Sequence, residues 1–133
     1  MTDGSFEHTP VNRWLGFRLL SRSPERVEIE QHVRPEMLQE TGVVQGGLLT
    51  ALADTAAVYL LWPDLGPGRT MTGTTVSMSF LSAARPGQGP LRATATPVRV
   101  GRTLAVCESE VRQADRLVCR GTFTFLQRDA TGS

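Results

Sequence analysis

The sequence predicts an α+β domain in which an antiparallel β-sheet wraps around one long central helix. Two stretches of period-two alternation precede the only long helical candidate, four more follow it, and tight-turn residues join the strands. Strands joined by hairpins pair antiparallel, and a lone apolar helix must lie on the sheet's face. At 133 residues the chain is expected to form a single domain over 1–133, with about 1–11 and 128–133 loose.

From 16 to 33 the pattern is extended. Val27, Ile29, Gln31 and Val33 alternate with Arg26, Glu28, Glu30 and His32, giving one buried and one wet face. Ser23 and Pro24 mark the turn that separates this strand from an earlier one at about 17–21. Residues 35–42 read as a short turn or a single helical turn.

The helical candidate runs over 46–62. Leu48, Leu49, Leu52, Ala53, Ala56, Ala57, Leu60 and Leu61 cover nearly its whole circumference, so it is expected to be buried on all sides. Pro63, Gly66, Pro67 and Gly68 end it in a loop.

Strands then follow at 75–81, 91–100, 103–112 and 117–126. In the last pair a three-residue turn at 113–115 would set Cys107 opposite Gly121 and Cys119 opposite Ser109. The cysteines then share a face without facing each other, so reduced thiols are expected rather than a disulfide.

Composition excludes several functions. Fourteen basic against thirteen acidic side chains leave +1, without the basic excess of a nucleic-acid binder. All the basic residues are arginine, which removes lysine Schiff-base chemistry and a phosphate-loop NTPase. Two cysteines and the two histidines, His8 and His32, lack metal-ligand spacing, so no metal site is expected. The N-terminus lacks a signal-peptide pattern, and the longest apolar stretch, 48–62, is interrupted by Asp54 and too short to span a bilayer. A cytoplasmic protein with no membrane partner is the expectation.

Asp54 is the residue out of place, an acid in the middle of an apolar helix. A buried carboxylate must shift its pKa or find hydrogen-bond partners, and general bases and nucleophiles are made in this way. The plainer possibility is a polar anchor satisfied by Thr50, Thr55 or an arginine from a neighbouring strand. At the helix start, Gln45, Gly46 and Gly47 offer unpaired N–H groups at the positive end of the dipole, suited to polarise a carbonyl. Two glycines there would also suit nothing more than a tight turn or close packing. Gly46 and Asp54 lie eight residues apart, roughly 12 Å along a helix axis. One small reacting group cannot touch both on one chain, so cooperation requires two antiparallel helices across a two-fold dimer.

The string from Val43 to Ala56, with Gln45, Gly46, Gly47 and Asp54, resembles the helix signature of hotdog-fold acyl-CoA thioesterases of the phenylacetate-pathway (PaaI) type. Residues 79–87 and 100–103 resemble that family's strand-to-turn segment and hairpin. The resemblance covers about 12–127. It implies a hotdog fold and hydrolysis of a small or medium acyl-CoA, aromatic ones included, with coenzyme A as part of the substrate and no separate cofactor. It implies a homodimer, extending to a dimer of dimers.

Carried over by position, Asp54 would be nucleophile or general base and the Gly46 N–H the carbonyl-polarising donor. Gln45 stands where the family has His and Gln39 where it has Asn, and a glutamine donates a hydrogen bond but does not titrate. Gly73 falls at or next to a position where the family carries a polar group, which makes Thr74, then Thr72, the candidate helper hydroxyl. Gly47 joins the substrate-binding candidates, and Arg85 and Arg102 are those for the coenzyme A phosphates. Trp62 is a candidate acyl-pocket wall. A hydratase is disfavoured because neither histidine falls near the helix. A non-catalytic acyl-CoA binding module of the same fold is the alternative.

Overall fold

The computed structural model describes residues 5–130. Two short helices, α1 (Ser5–His8) and α2 (Pro10–Leu15), precede strands β1 (Arg18–Ser23) and β2 (Arg26–Gln31). The central helix α3 (Gly46–Leu61) follows, then β3 (Arg69–Phe80), β4 (Leu91–Val100), β5 (Leu104–Gln113) and β6 (Arg116–Asp129). The strands form one antiparallel sheet in the order β1-β2-β4-β5-β6-β3. The expected architecture is therefore present: two strands, one long helix, four strands.

Helix α3 packs on the inner face formed by β2, β4, β5 and β6. Leu52, Ala53, Ala56, Ala57 and Leu60 from the helix meet Val27, Ile29, Ala93, Ala95, Cys107, Val111 and Phe123, all buried. Small residues on both surfaces let helix and sheet approach closely. Arg22 from β1 closes the helix C-terminus, donating to the carbonyls of Tyr59 (3.0 Å) and Leu60 (2.9 Å), where a cation also complements the dipole.

Four expectations are corrected. First, Ser5–His8 and Pro10–Leu15 are helical, where a loose segment over about 1–11 was expected. Phe6 is buried against the Tyr59 ring (centroids 4.7 Å apart), and Asn12 Nδ2 donates to Phe6 O and Tyr59 Oη. The signal was present, with Pro10 at the first turn of α2 and Gly16 in the left-handed region just after Leu15. Residues 1–4 and 131–133, the rest of the expected loose ends, lie outside the described residues.

Second, β3 begins at Arg69, six residues before the expected start, and β6 continues to Asp129. These are one error, because the two extensions pair with each other, Arg69 opposite Asp129 and Thr70 opposite Arg128. Met71 is the one apolar side chain in 69–74 and 127–129, so the signal is too weak to read until the partner strand is known.

Third, the β5–β6 turn has two residues, Ala114 and Asp115, both at positive φ, with an irregularity near Val111. Cys107 therefore faces Phe123, and Cys119 faces Val111. Both cysteines are buried and free, as expected.

Fourth, α3 is not buried all round. Gly47, Thr50, Ala51, Asp54 and Val58 form a stripe at helical spacing that stays partly open.

Candidate active site

The open stripe of α3 faces the inner side of β3, the edge strand, across a groove. The two run antiparallel. Phe80 packs over Gly46 at the helix start, and Trp62 lies beside Met71 at the other end. Between them an open cleft of about 460 Å³ is lined by Gly47, Thr50, Ala51 and Asp54 from the helix and by 73–76 from β3.

Asp54 is half-buried in this cleft rather than enclosed in the core. Neither threonine anchors it: Thr50 Oγ1 donates to Gly46 O (3.2 Å) and Thr55 Oγ1 to Ala51 O (2.8 Å). Among the described residues its carboxylate has no hydrogen bond and no ion pair. Burial without a counter-charge pushes its pKa above the usual carboxylate value of 3.8. Its charge is felt by Cys107 on β5. Burial first, and then the Asp54 charge, push that thiol up to about 12, so it stays protonated. A poorly solvated carboxylate facing an open cleft is a strong proton acceptor.

Gln45 is the N-cap of α3, and its Oε1 accepts from Leu48 N at 3.0 Å. The side chain expected to reach the substrate thus spends its oxygen on the helix, leaving only the amide nitrogen to donate. The N–H groups of Gly46 and Gly47 meet no acceptor among the described residues and point out at the positive end of the dipole. A Cβ on Gly47 would lie 2.8 Å from Gln45 Oε1, so the cap and this glycine belong together. Gln45 N donates to Met37 O and Val44 N to Ala84 O, each at 2.9 Å, which fixes the direction in which the helix start points.

The other sequence-derived residues divide. Thr74 lines the Asp54 cleft at an irregularity of β3, its Oγ1 donating to Thr124 O (3.3 Å). Thr72 lines neither depression of the groove, since Met71 and Gly73 on either side of it face inward. Gln39 folds its own loop, with Oε1 accepting from Thr41 N and from Thr41 Oγ1 (2.7 Å). Arg85 stands on a loop held by Gln113 at the end of β5, whereas Arg102 stands just before the start of β5. Ten strand residues separate the two, about 33 Å, so they do not converge on one site within a protomer. Sequence reasoning missed Thr50, Thr75 and Val76 as cleft residues, because nothing local shows that β3 lies against this stripe.

The family described as the thioesterase superfamily matches residues 41–120, which carry α3, β3, β4 and β5 and so every residue lining the Asp54 cleft. The chain belongs to the thioesterase superfamily. A provisionally named esterase of Deinococcus radiodurans is 38% identical over 101 residues, 76% of this chain and 66% of that protein, just under two thirds of its length. Among solved structures, a thioesterase of Haemophilus influenzae superposes with TM-score 0.86 at 25% identity, covering 94% of this chain and 87% of that one. A variant of the phenylacetic acid degradation protein PaaI of Thermus thermophilus gives TM-score 0.80 at 27% identity, covering 88% and 97%. The hotdog fold and the expected membership among PaaI-type thioester hydrolases are borne out at the level of the family.

Proposed function

We propose that this thioesterase-superfamily member hydrolyses the thioester of a small or medium acyl-CoA, aromatic acyl groups included. The observation that carries the reading is the Asp54 carboxylate, partnerless among the described residues and raised in pKa, open to a cleft on the helix that the family match covers. Its basicity serves two equivalent roles. As general base it takes a proton from water while the oxygen attacks the thioester carbonyl. As nucleophile it attacks the carbonyl itself, and water then cleaves the anhydride. In both, the C–S bond breaks and coenzyme A leaves as the thiol. Thr50 and Thr74 line the same cleft, their hydroxyl oxygens open to accept while their protons go to Gly46 O and Thr124 O.

The oxyanion needs donors at the reacting carbon. With Gly46 about 12 Å from Asp54 along the helix, the donor is assigned to Gly46 of the partner subunit in a two-fold homodimer. Support comes from β3, a twelve-residue edge strand that leaves Val76 and Phe80 exposed, and such an edge invites a second strand. An acyl-CoA substrate and two protonated thiols suit a cytoplasmic protein.

Thiol release from a panel of aliphatic and aromatic acyl-CoAs tests the reading. Asp54→Asn is expected to lower kcat by about 10²–10⁴ with fold and oligomer intact. Undiminished turnover by that variant removes Asp54 from the chemistry. Acyl-CoA affinity without turnover in the wild type would favour the binding-module alternative, to which the engagement of Gln45 as a cap lends its one specific support.

A further inference from the structure

Beyond Asp54 the α3–β3 groove continues into a second depression of about 320 Å³, lined by Val58, Tyr59, Trp62, Met71, Gly73 and Phe125. No carboxylate, amide or basic group lines it. Even the Tyr59 hydroxyl is engaged elsewhere, by Asn12, which is not part of the wall. Gly73 lines both this pocket and the Asp54 cleft, so it sits where the two meet.

A glycine inside a strand weakens it and calls for a reason. The register shift between Gly73 and Thr75 does not demand glycine, because Gly73 is not among the positive-φ glycines. Packing within the protomer does not either, since an added Cβ would lie 3.6 Å from Phe125 Cε1, an ordinary contact. Gly121 on β6 is the contrast: its Cβ would come within 2.7 Å of Ser77 O, so glycine there is forced. At Gly73 a Cβ would fit beside the Phe125 ring, so packing does not demand glycine at the point where the two depressions meet.

We propose that Gly73 is the acyl-specificity residue: it leaves open the passage by which a medium-length apolar acyl group runs from the thioester at Asp54 into the aromatic pocket of Tyr59, Trp62 and Phe125. This rests on the thioester reading of the Asp54 cleft. Each methylene that passes Gly73 leaves water for an apolar wall, so affinity rises with chain length until the pocket is full. A side chain at 73 blocks the passage and removes that dependence.

The test titrates two non-hydrolysable thioethers, S-ethyl-CoA and S-octyl-CoA, into wild type, Gly73→Ala and Gly73→Val by calorimetry. Valine suits a strand, and circular dichroism confirms the fold of each variant. Wild type is expected to bind the octyl ligand at least about tenfold more tightly than the ethyl one. Gly73→Val is expected to bring the ratio near one, with Gly73→Ala between. A wild-type ratio near one, or a ratio unchanged in Gly73→Val, overturns the proposal. Equal weakening of both ligands together with a change of oligomer by light scattering also overturns it, and assigns the glycine to subunit packing. Thiol release from acetyl-CoA and octanoyl-CoA, measured in parallel, separates the two readings. Absence of turnover with the expected binding ratios would sink the hydrolase and leave the pocket standing.

Discussion

Asp54 illustrates how an acid suited to chemistry weakens the fold that holds it. Its folded pKa lies above 3.8 because burial disfavours the charged form, so the native state holds the proton more tightly than the unfolded chain does. Stability therefore falls as pH rises from about 3.8 through the raised value, and stays lower above it. Asp54→Asn is expected to melt higher than wild type at pH 7, with the advantage fading as pH drops towards 3.8; scanning calorimetry across pH checks this. The two cysteines offer a second check at this scale. Burial pushes Cys107 to about 12 and Cys119 to about 11, so neither forms thiolate at neutral pH. A thiol-trapping chromophore should label no cysteine in the native protein and two after unfolding. The oddity of Asp54 was legible in the sequence, since an acid among leucines and alanines stands out. Its lack of a partner was not, because Thr50 and Thr55 turned back onto their own helix.

The β3–β6 pair carries the groove's outer wall, and it depends on Gly121. There the strands approach so closely that a Cβ would meet Met78 Sδ and Ser77 O. Gly121→Ala is expected to destabilise the protein by about 1–3 kcal/mol, read as a lower urea midpoint, because the obstructing atoms include backbone that cannot swing away. This element also shows where reading the sequence stops. Val76, Met78 and Phe80 announced a strand by alternation, whereas 69–74 and 127–129 did not. Those residues are strand because they pair with each other, and pairing is a non-local property. Helix α3 lies at the other extreme. Its start at Gly46 and its end near Trp62 were legible because glycine, proline and apolar spacing act locally.

At the scale of the molecule, the exposed β3 edge and the half-open stripe of α3 fall on the same side of the protomer, and a second copy placed there would complete both. In the proposed dimer Val76→Glu sets a charge on each of two facing edge strands, and it is expected to shift the protein to monomer in analytical ultracentrifugation. A charged variant that remains dimeric and active would place the interface elsewhere. By itself the sequence determined the α+β class, the order of two strands, helix and four strands, and the identity of the acid and glycines on the helix, because periodicity and turn chemistry are written in neighbouring residues. Only the tertiary structure decided that β3 lies along the Asp54 stripe, that Thr74 lines the cleft while Thr72 does not, and that Arg85 and Arg102 stand at opposite ends of β5. Strand register, sheet order and the faces that meet across a groove depend on contacts between residues far apart in the chain, and local patterns carry no record of those contacts.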